Sequence, residues 1–181
     1  MGVSGSGKTS VGQYVARQLD TEFVDADDLH SPENVALMAA GQPLNDQMRK
    51  PWLAAICRCA ESKFAQSQSV VIACSALKAS YRETLRSVSR PVVFVFLNGL
   101  QVVILERMNQ REGHFMPASL LDTQFADLEI PTGEPNVVTV NIDQPLESML
   151  QDAWDQTRIE LARISESKTG PDPDQELGLD T

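Results

Sequence analysis

The residues with the clearest chemical content are the first ten, MGVSGSGKTS. Residues 2–9 fit the pattern G-x-x-x-x-G-K-[ST], a glycine-rich turn that joins a strand to a helix and wraps phosphate groups. Gly2, Gly5 and Gly7 allow successive backbone N–H groups to point at phosphate oxygens, and the following helix adds the positive end of its dipole. A Gly/Ser-rich linker rarely meets all the fixed positions by chance, so the motif predicts a nucleotide site.

Two side chains of this loop have specific expected roles. Lys8 is expected to reach the β- and γ-phosphates, and the hydroxyl of Thr9 is expected to take a place on Mg²⁺. The motif identifies a nucleotide but not the second substrate. The residues predicted to contact the nucleotide in this loop are Gly2, Val3, Ser4, Gly5, Ser6, Gly7, Lys8, Thr9 and Ser10.

Two carboxylates follow a predicted strand in the stretch FVDADDLH, residues 23–30. They stand at the carboxyl end of the strand, where ligands of open α/β sheets bind. A carboxylate there can hold a metal-bound water or accept the proton of an attacking hydroxyl. We predict Asp25 for the metal and Asp27 for catalysis and substrate binding. The alternative is that these acids, Asp28 in particular, cap the next helix.

A pair of cations lies near the start of a predicted helix in PLNDQMRKPW, residues 43–52. Arg49 and Lys50 are unfavourable there because the positive end of the helix dipole repels them. A substrate carboxylate paired with Arg49 explains the placement, since a guanidinium grips a carboxylate with two hydrogen bonds. The alternative is a solvated helix face.

A second group of polar residues follows the next predicted strand, in CSALKASYRETLR, residues 74–86. Helical spacing places Lys78 and Arg82 on one face, where two cations repel unless an anion lies between them. Together with Ser75 they are predicted to bind an anionic substrate. The alternative is two exposed helix charges.

The stretch ERMNQREGHF, residues 106–115, has the composition of a lid. Arg107 and Arg111 are one helical turn apart and run into a glycine that can act as a hinge. The arginines are predicted to close over the transferred phosphoryl group. His114 is predicted to pack or hydrogen-bond next to the substrate rather than to act as a base.

The composition limits the classes of function. The chain has 181 residues, 42% hydrophobic and 22% charged, which suits one globular domain. It carries 15 basic and 25 acidic side chains, a formal charge of -10, which argues against general binding of nucleic acids or anionic membranes. The spacing of the three cysteines fits neither a metal site nor a disulfide framework, so we expect reduced thiols. Reduced thiols, together with the absence of an apparent leader or membrane span, predict a cytoplasmic protein.

Apolar runs alternate with amphipathic stretches, which predicts an α/β domain with a parallel sheet flanked by helices in three layers. The domain is expected over residues 1–165, with a lid at 107–118 and a disordered polar tail at 166–181. The predicted strands cover residues 22–27, 69–75, 91–99 and 136–143. The predicted helices cover residues 7–19, 46–66, 78–88, 100–112 and 117–129, with two more starting at Ser31 and near Pro145.

The strand that should lead into the phosphate loop is missing, because only Met1 precedes Gly2. That strand is normally the centre of the sheet. We expect Met1 to be an internal methionine or the chain to have been shortened, and the alternative is a natural deletion of the strand, which would be costly. Removing a central strand leaves backbone groups of both neighbours unpaired, at a cost on the order of 1–3 kcal/mol for each one that is buried.

The motifs taken together resemble one family. In order they are GVSGSGKT, DADDLH, PLNDQMRKPWL, CSALKASYR, the R-x-x-x-R-x-G-H-F lid and NIDQPLE. In this order and spacing they resemble the small gluconokinases that carry a phosphate loop. The resemblance covers about residues 1–165, and the third and fourth motifs are the most specific.

The resemblance implies transfer of the γ-phosphoryl group of ATP to the 6-hydroxyl of D-gluconate, on a five-stranded nucleoside monophosphate kinase-like fold. It implies ATP–Mg²⁺ as the cofactor and a homodimer, while the acidic charge balance argues against a nucleic-acid or membrane partner. It also implies that the loop from Asp143 to Pro145 lies beside adenine, and that Arg107 contacts the nucleotide. The alternatives are a kinase of the same fold for another acceptor, such as shikimate or a nucleoside monophosphate, or a nucleotide-binding protein without turnover.

Overall fold

The computed structural model describes residues 1–109 and 118–168, and its elements alternate as the sequence predicts. The strands are β1 (Glu22–Asp25), β2 (Val70–Ala73), β3 (Phe94–Asn98) and β4 (Val137–Asn141). The helices are α1 (Lys8–Gln18), α2 (Pro32–Ala39), α3 (Asp46–Phe64), α4 (Ala79–Arg86), α5 (Gln101–Asn109), α6 (Ala118–Asp127) and α7 (Leu146–Lys168), and a 3-10 helix (Ala26–Leu29) follows β1.

Local capping explains where several helices start. The Ser31 side chain accepts a hydrogen bond from the backbone N–H of Asn34 at 3.3 Å, and Pro32 takes the first helical position of α2. The Asn45 side chain caps α3 in the same way, accepting from Met48 at 3.0 Å. At the other end of the chain, α7 continues to Lys168, so residues 166–168, predicted as tail, are helical.

The strands form two separate parallel pairs. β1 pairs with β2, with Glu22 opposite Val70, and β3 pairs with β4, with Phe94 opposite Val137. In the described part of the chain, no ladder joins the two pairs. The predicted gap at the centre of the sheet is therefore present, and it lies between β2 and β3.

In the part of the chain that the structure describes, Met1 and Gly2 bridge this gap with hydrogen bonds. The amine of Met1 donates to the carbonyl of Val95 at 2.5 Å, and the N–H of Leu97 donates to the carbonyl of Met1 at 3.0 Å. On the other side, the N–H of Gly2 donates to the carbonyl of Ser75 at 3.1 Å. The phosphate loop is thus tied to both pairs at the carboxyl edge of the strands.

Helices cover both faces of the strand pairs and bury two apolar clusters, which gives the three-layer arrangement. The first cluster joins α1, α5, α7 and β4, and it includes Val11, Val15, Ile104, Val140 and Met149. The second joins α3, α4 and β3, and it includes Trp52, Ile56, Tyr81, Leu85 and Phe94. Among the residues described, no helix is long and apolar enough to cross a membrane.

Candidate active site

The backbone of the glycine-rich loop adopts conformations that are unfavourable for residues with a side chain. Gly5 and Gly7 have φ angles of 78° and 98°, in the left-handed region that glycine tolerates. A Cβ on Gly5 would also lie 2.7 Å from Cγ of Met108, so the neighbouring helix leaves no room for one. Gly7 is the N-cap of α1, which places the positive end of that 11-residue helix at the loop.

The polar atoms of the loop fit an anionic ligand. The hydroxyl of Ser6 is buried and has no hydrogen-bond partner, although buried polar atoms are usually paired. The side chain of Lys8 donates to the carbonyl of Val3 at 3.1 Å, across the loop that it is expected to serve. The N–H of Ser4 donates to Oε1 of Gln124 at 2.6 Å, which brings α6 onto the loop. Gln124 carries no sequence motif that would have identified it.

The two residues predicted to hold a metal lie together. The Thr9 hydroxyl, at the start of α1, donates to Oδ2 of Asp25 at 3.4 Å, at the end of β1. A hydroxyl and a carboxylate are oxygen donors that suit Mg²⁺, which takes its remaining ligands from phosphates and water. Residues 1–109 and 118–168 contain no group of three or more His, Cys, Asp or Glu side chains that could hold a metal ion.

Asp27 is held next to the phosphate loop by the 3-10 helix. Oδ1 of Asp25 accepts from the N–H of Asp27 at 3.2 Å, and Nε1 of Trp52 donates to the carbonyl of Ala26 at 2.6 Å. Asp27 is exposed to solvent, but partial desolvation of its carboxyl raises its pKa, and the charge of nearby Lys8 partly opposes that rise. Asp27 therefore has the raised proton affinity that a general base needs, beside the loop that is expected to hold the phosphates.

Arg49 and Lys78 meet around the ring of Tyr81, in a group that we call the Tyr81 cluster. Nη1 of Arg49 donates to the hydroxyl of Tyr81 and to Oδ2 of Asp127, both at 3.1 Å. Nζ of Lys78 lies 2.8 Å from Oδ1 of Asp46 and 3.5 Å from Oδ1 of Asp127. Both cations also lie 5.7 Å from the centre of the Tyr81 ring.

The cluster includes three residues that sequence reasoning did not single out, namely Asp46, Tyr81 and Asp127. Asp46 and Tyr81 stand inside the motifs PLNDQMRKPWL and CSALKASYR, so a closer reading of those motifs could have found them. Asp127 ends α6 and lies in none of the motifs. Only the folded chain brings its carboxylate to Arg49.

His30 connects Asp27 to the Tyr81 cluster. Its ring stacks on Trp52 with the centroids 4.5 Å apart, and its Nδ1 is buried without a hydrogen-bond partner. Burial lowers the pKa of His30, and the charges of Asp27 and Arg49 shift that pKa in opposite directions. A neutral imidazole therefore stands close to both groups. Its position in DADDLH, three residues after Asp27, was the available signal.

Arg82 does not join this group, contrary to the sequence prediction. Its side chain is completely buried, and its guanidinium donates to Glu134 and to the carbonyls of Ala76, Leu77 and Glu129. Lys78 and Arg82 do not share a helical face, because Lys78 is the N-cap of α4 with extended angles (φ −92°, ψ 146°) and lies outside the helix. The anions beside the two cations are carboxylates of the protein.

Arg107 contacts the loop that follows β4. Its guanidinium donates to the carbonyl of Ile142 and, at 3.2 Å, to the carbonyl of Gln144. Arg107 therefore stands beside the loop from Asp143 to Pro145, which was expected next to adenine, and its contact with the phosphoryl group stays a prediction. The predictions for Arg111, His114 and most of the lid concern residues outside the described part of the chain.

Ser75 lies next to the phosphate loop through its backbone. Its carbonyl accepts from the N–H of Gly2, as described above, and it directly follows the buried Cys74. Ser10 lies in the first turn of α1 and is half-buried. Their contacts with substrate and nucleotide stay predictions.

Comparison with known proteins identifies the family. The shikimate kinase family pattern matches residues 4–126. The thermoresistant gluconokinase of Escherichia coli is 45% identical over 151 residues, covering 83% of this chain and 86% of that protein. The gluconokinase of Gluconobacter oxydans is 42% identical, and the alignment covers 84% of this chain and 85% of that protein. The crystal structure of a gluconokinase from Sinorhizobium meliloti superposes on this chain with a TM-score of 0.81 at 47% sequence identity. The superposition covers 92% of this chain and 91% of that chain. The fold is thus that of the phosphate-loop kinases, and the chain belongs to the gluconokinases, within the wider shikimate kinase family.

Proposed function

We propose that the chain transfers the γ-phosphoryl group of ATP to the 6-hydroxyl of D-gluconate, giving 6-phosphogluconate. The observation that carries the proposal is the grouping of a phosphate loop, a carboxyl of raised pKa on Asp27 and the paired cations Arg49 and Lys78. These are the parts needed to hold a nucleotide, activate a hydroxyl and bind a small carboxylate. By resemblance to the family, we further propose that it works as a homodimer in the cytoplasm.

The nucleotide end of the reaction rests on the loop and α1. The backbone N–H groups from Gly5 to Lys8 and the dipole of α1 face the phosphates, and Lys8 balances the charge that builds up on the transferred group. Mg²⁺, when bound beside Thr9 and Asp25, supplies further positive charge to the phosphate oxygens. We propose that Arg107 and Arg111 complete the site from the lid side, and that the loop from Asp143 to Pro145 borders the adenine.

The acceptor end rests on Asp27, His30 and the Tyr81 cluster. Asp27 accepts the proton of the attacking hydroxyl and orients its oxygen towards the phosphorus. The unpaired Nδ1 of His30 is placed to accept a hydrogen bond from a hydroxyl of the polyol chain. Ser75 and His114 are proposed to contact the same substrate.

The carboxylate of gluconate is proposed to bind at Arg49 and Lys78. Arg49 is only 15% exposed in its side chain, and Asp127 is 26% exposed, so their pairing keeps a buried cation satisfied before substrate arrives. The substrate carboxylate then shares or replaces the bonds that Asp46 and Asp127 make. Because the two protein carboxylates already balance the two cations, we expect moderate affinity for the acceptor.

The reaction is tested by ADP release from ATP–Mg²⁺ with D-gluconate, shikimate, AMP or no acceptor. We expect release with gluconate only, with one ADP formed for each 6-phosphogluconate. Equal release with and without acceptor, or release with another acceptor and not with gluconate, contradicts the proposal. Nucleotide binding without release under any condition supports the alternative of a binding protein without turnover.

Replacing Asp27 with asparagine tests the base. We expect kcat to fall by about 10²–10⁴-fold, because the amide cannot accept the proton. Wild-type kcat should also fall as the pH falls through the pKa of Asp27, which partial desolvation places above the usual value, because only the deprotonated carboxylate acts as a base. Rates over an acidic pH series are the measurement. Asp28→Asn is the matched control and should keep wild-type activity.

Replacing Arg49 with lysine tests the carboxylate site. The variant keeps the charge but loses the planar fork, so we expect KM for gluconate to rise about 10- to 100-fold, since each tenfold is about 1.4 kcal/mol. KM for ATP should stay unchanged. The neighbouring exposed cation supplies the control, and Lys50→Gln should leave both constants unchanged. A rise in the KM for ATP alone would contradict this placement of the acceptor.

A further inference from the structure

We propose that Gln124 and Asp127, which stand one turn apart on α6, are built-in competitors of the two substrates. Each side chain places an oxygen atom on a hydrogen-bond donor that a ligand oxygen needs, and each therefore lowers the affinity of one subsite. This competition rests on the proposed function, which names ATP and gluconate as the two ligands. Gln124 sets the affinity for the nucleotide, and Asp127 sets the affinity for the acceptor.

Gln124 occupies a donor of the phosphate loop. Its Oε1 accepts from the N–H of Ser4 at 2.6 Å, in a partly buried contact between residues 120 positions apart in the chain. The N–H groups of such a loop are the donors that bind phosphate oxygens, so a nucleotide needs the place that the amide oxygen takes. An uncharged amide oxygen accepts a weaker hydrogen bond than a phosphate oxygen does. The nucleotide can therefore displace Gln124, and it loses the free energy of one hydrogen bond in doing so.

Asp127 occupies the acceptor site in the same manner. Its Oδ2 accepts from Nη1 of Arg49 at 3.1 Å, and its Oδ1 lies 3.5 Å from Nζ of Lys78. One carboxylate thus bridges two cations, which is the arrangement proposed for the carboxylate of gluconate. The side chain of Arg49 is only 15% exposed, so a second carboxylate finds little room at this guanidinium while Asp127 stays in place. Gluconate must therefore displace a group of its own kind.

The helix that carries both side chains is held from several sides. Leu121 is completely buried in the first apolar cluster. On the outer side of α6, Nε2 of Gln101 donates to Oδ1 of Asp122 at 2.6 Å. Just past the helix, the N–H of Glu129 donates to the carbonyl of Leu77 at 3.0 Å. Because α6 is fixed, we expect each ligand to turn one side chain aside without moving the helix, so the two displacements are independent.

Competition of this kind favours turnover. The product 6-phosphogluconate keeps the carboxylate of gluconate, so the return of Asp127 to Arg49 helps to release the product. Release of product limits kcat in many enzymes, and binding energy that is equal for substrate and transition state does not raise kcat. The competing side chain removes some of that binding energy and keeps Arg49 paired between turnovers.

Replacing Gln124 with alanine tests the nucleotide half of the proposal. The variant takes the amide oxygen away from Ser4, so we expect the Kd of a non-hydrolysable ATP analogue with Mg²⁺ to fall about 2- to 10-fold, the net contribution of one hydrogen bond. The Kd for gluconate should stay at the wild-type value. Isothermal titration calorimetry of the full chain measures both constants. Weaker binding of the analogue would mean that Gln124 helps to hold the nucleotide, and either that result or unchanged binding overturns this half.

Replacing Asp127 with asparagine tests the acceptor half. The variant keeps the shape of the side chain and removes its charge, so the Kd for gluconate should fall about 2- to 10-fold. The Kd for 6-phosphogluconate should fall by about the same factor, because both ligands carry the same carboxylate, and the Kd for the ATP analogue should not change. If Asp127 instead orients Arg49 for the substrate, gluconate binds more weakly to the variant. That result, or an unchanged Kd, overturns the acceptor half.

The pair on the outer side of α6 supplies matched controls. Gln101→Ala makes the same change of side chain as Gln124→Ala, and Asp122→Asn removes the same charge as Asp127→Asn from the same helix. Both controls alter the contact between α5 and α6 without altering Ser4 or Arg49, and they should leave all three Kd values unchanged. If Asp122→Asn tightened gluconate binding as much as Asp127→Asn, the cause would be net charge, and the acceptor half would be overturned.

The same titrations distinguish a failure of this competition from a failure of the proposed function. If the wild type binds the analogue but not gluconate, the proposed function fails and the acceptor half fails with it, while Gln124→Ala still decides the nucleotide half with the analogue alone. If the wild type binds both ligands and phosphorylates gluconate, but neither variant binds its own ligand more tightly, the proposed function stands and the competition is overturned.

Discussion

Replacing Lys8 with alanine is expected to lower kcat by at least about 10²–10³-fold, the effect of removing one preorganised charge-stabilising donor. The side chain of Lys8 spans the phosphate loop to the carbonyl of Val3, and its charge acts on the pKa of Asp27. It therefore lies near both the phosphate loop and Asp27, the two ends of the proposed transfer. The loss should appear in ADP release at saturating ATP–Mg²⁺ and gluconate.

Two controls separate this effect from loss of structure. Lys50→Gln removes a cation from the exposed side of α3 and should leave kcat unchanged. The thermal midpoint of Lys8→Ala should stay within a few degrees of wild type, because the half-buried side chain contributes its stem and a hydrogen bond to the carbonyl of Val3 and no part of an apolar cluster. Full activity in Lys8→Ala would contradict the proposed role of the phosphate loop in the reaction, even though the chain resembles the family.

Local sequence signals predicted the elements well because they depend on neighbours in the chain. The runs around Val70, Phe94 and Val137 are rich in apolar residues, and each forms a parallel strand that is at least partly buried. The caps at Ser31 and Asn45 start helices for equally local reasons.

The acceptor site was harder to predict because it depends on residues far apart in sequence. Arg49 was predicted from an unfavourable helix position, but its partner Asp127 is 78 residues away and carries no local signal. His30 gains its role by stacking on Trp52, which a linear reading cannot show. Arg82 was misplaced because a one-residue shift of the start of α4 turned Lys78 into a cap.

Replacing Arg82 with leucine is expected to destabilise the fold by about 3–5 kcal/mol, the cost of removing one partner of a buried ion pair. The side chain is 0% exposed and lies 2.5 Å from Oε1 of Glu134, which also binds Arg86 at 2.7 Å. Arg82 also holds the carbonyls of Ala76 and Leu77, next to β2. The control Arg158→Ala, on an exposed pair with Asp155, should change stability by less than about 0.5 kcal/mol.

Two further measurements distinguish this anchoring role from the predicted substrate contact. The hydrogen bonds from Arg82 lower the pKa of Glu134 from 4.5 to about 2, so the folded state stays ionised where the unfolded state takes up a proton. Wild type should therefore lose stability as the pH falls from 4.5 to about 2, and Glu134→Gln should lack that part of the loss. Arg82→Lys should be destabilised, because one ammonium cannot replace the bonds of the fork. If it instead kept wild-type stability and raised only the KM for gluconate, Arg82 would be a substrate residue after all.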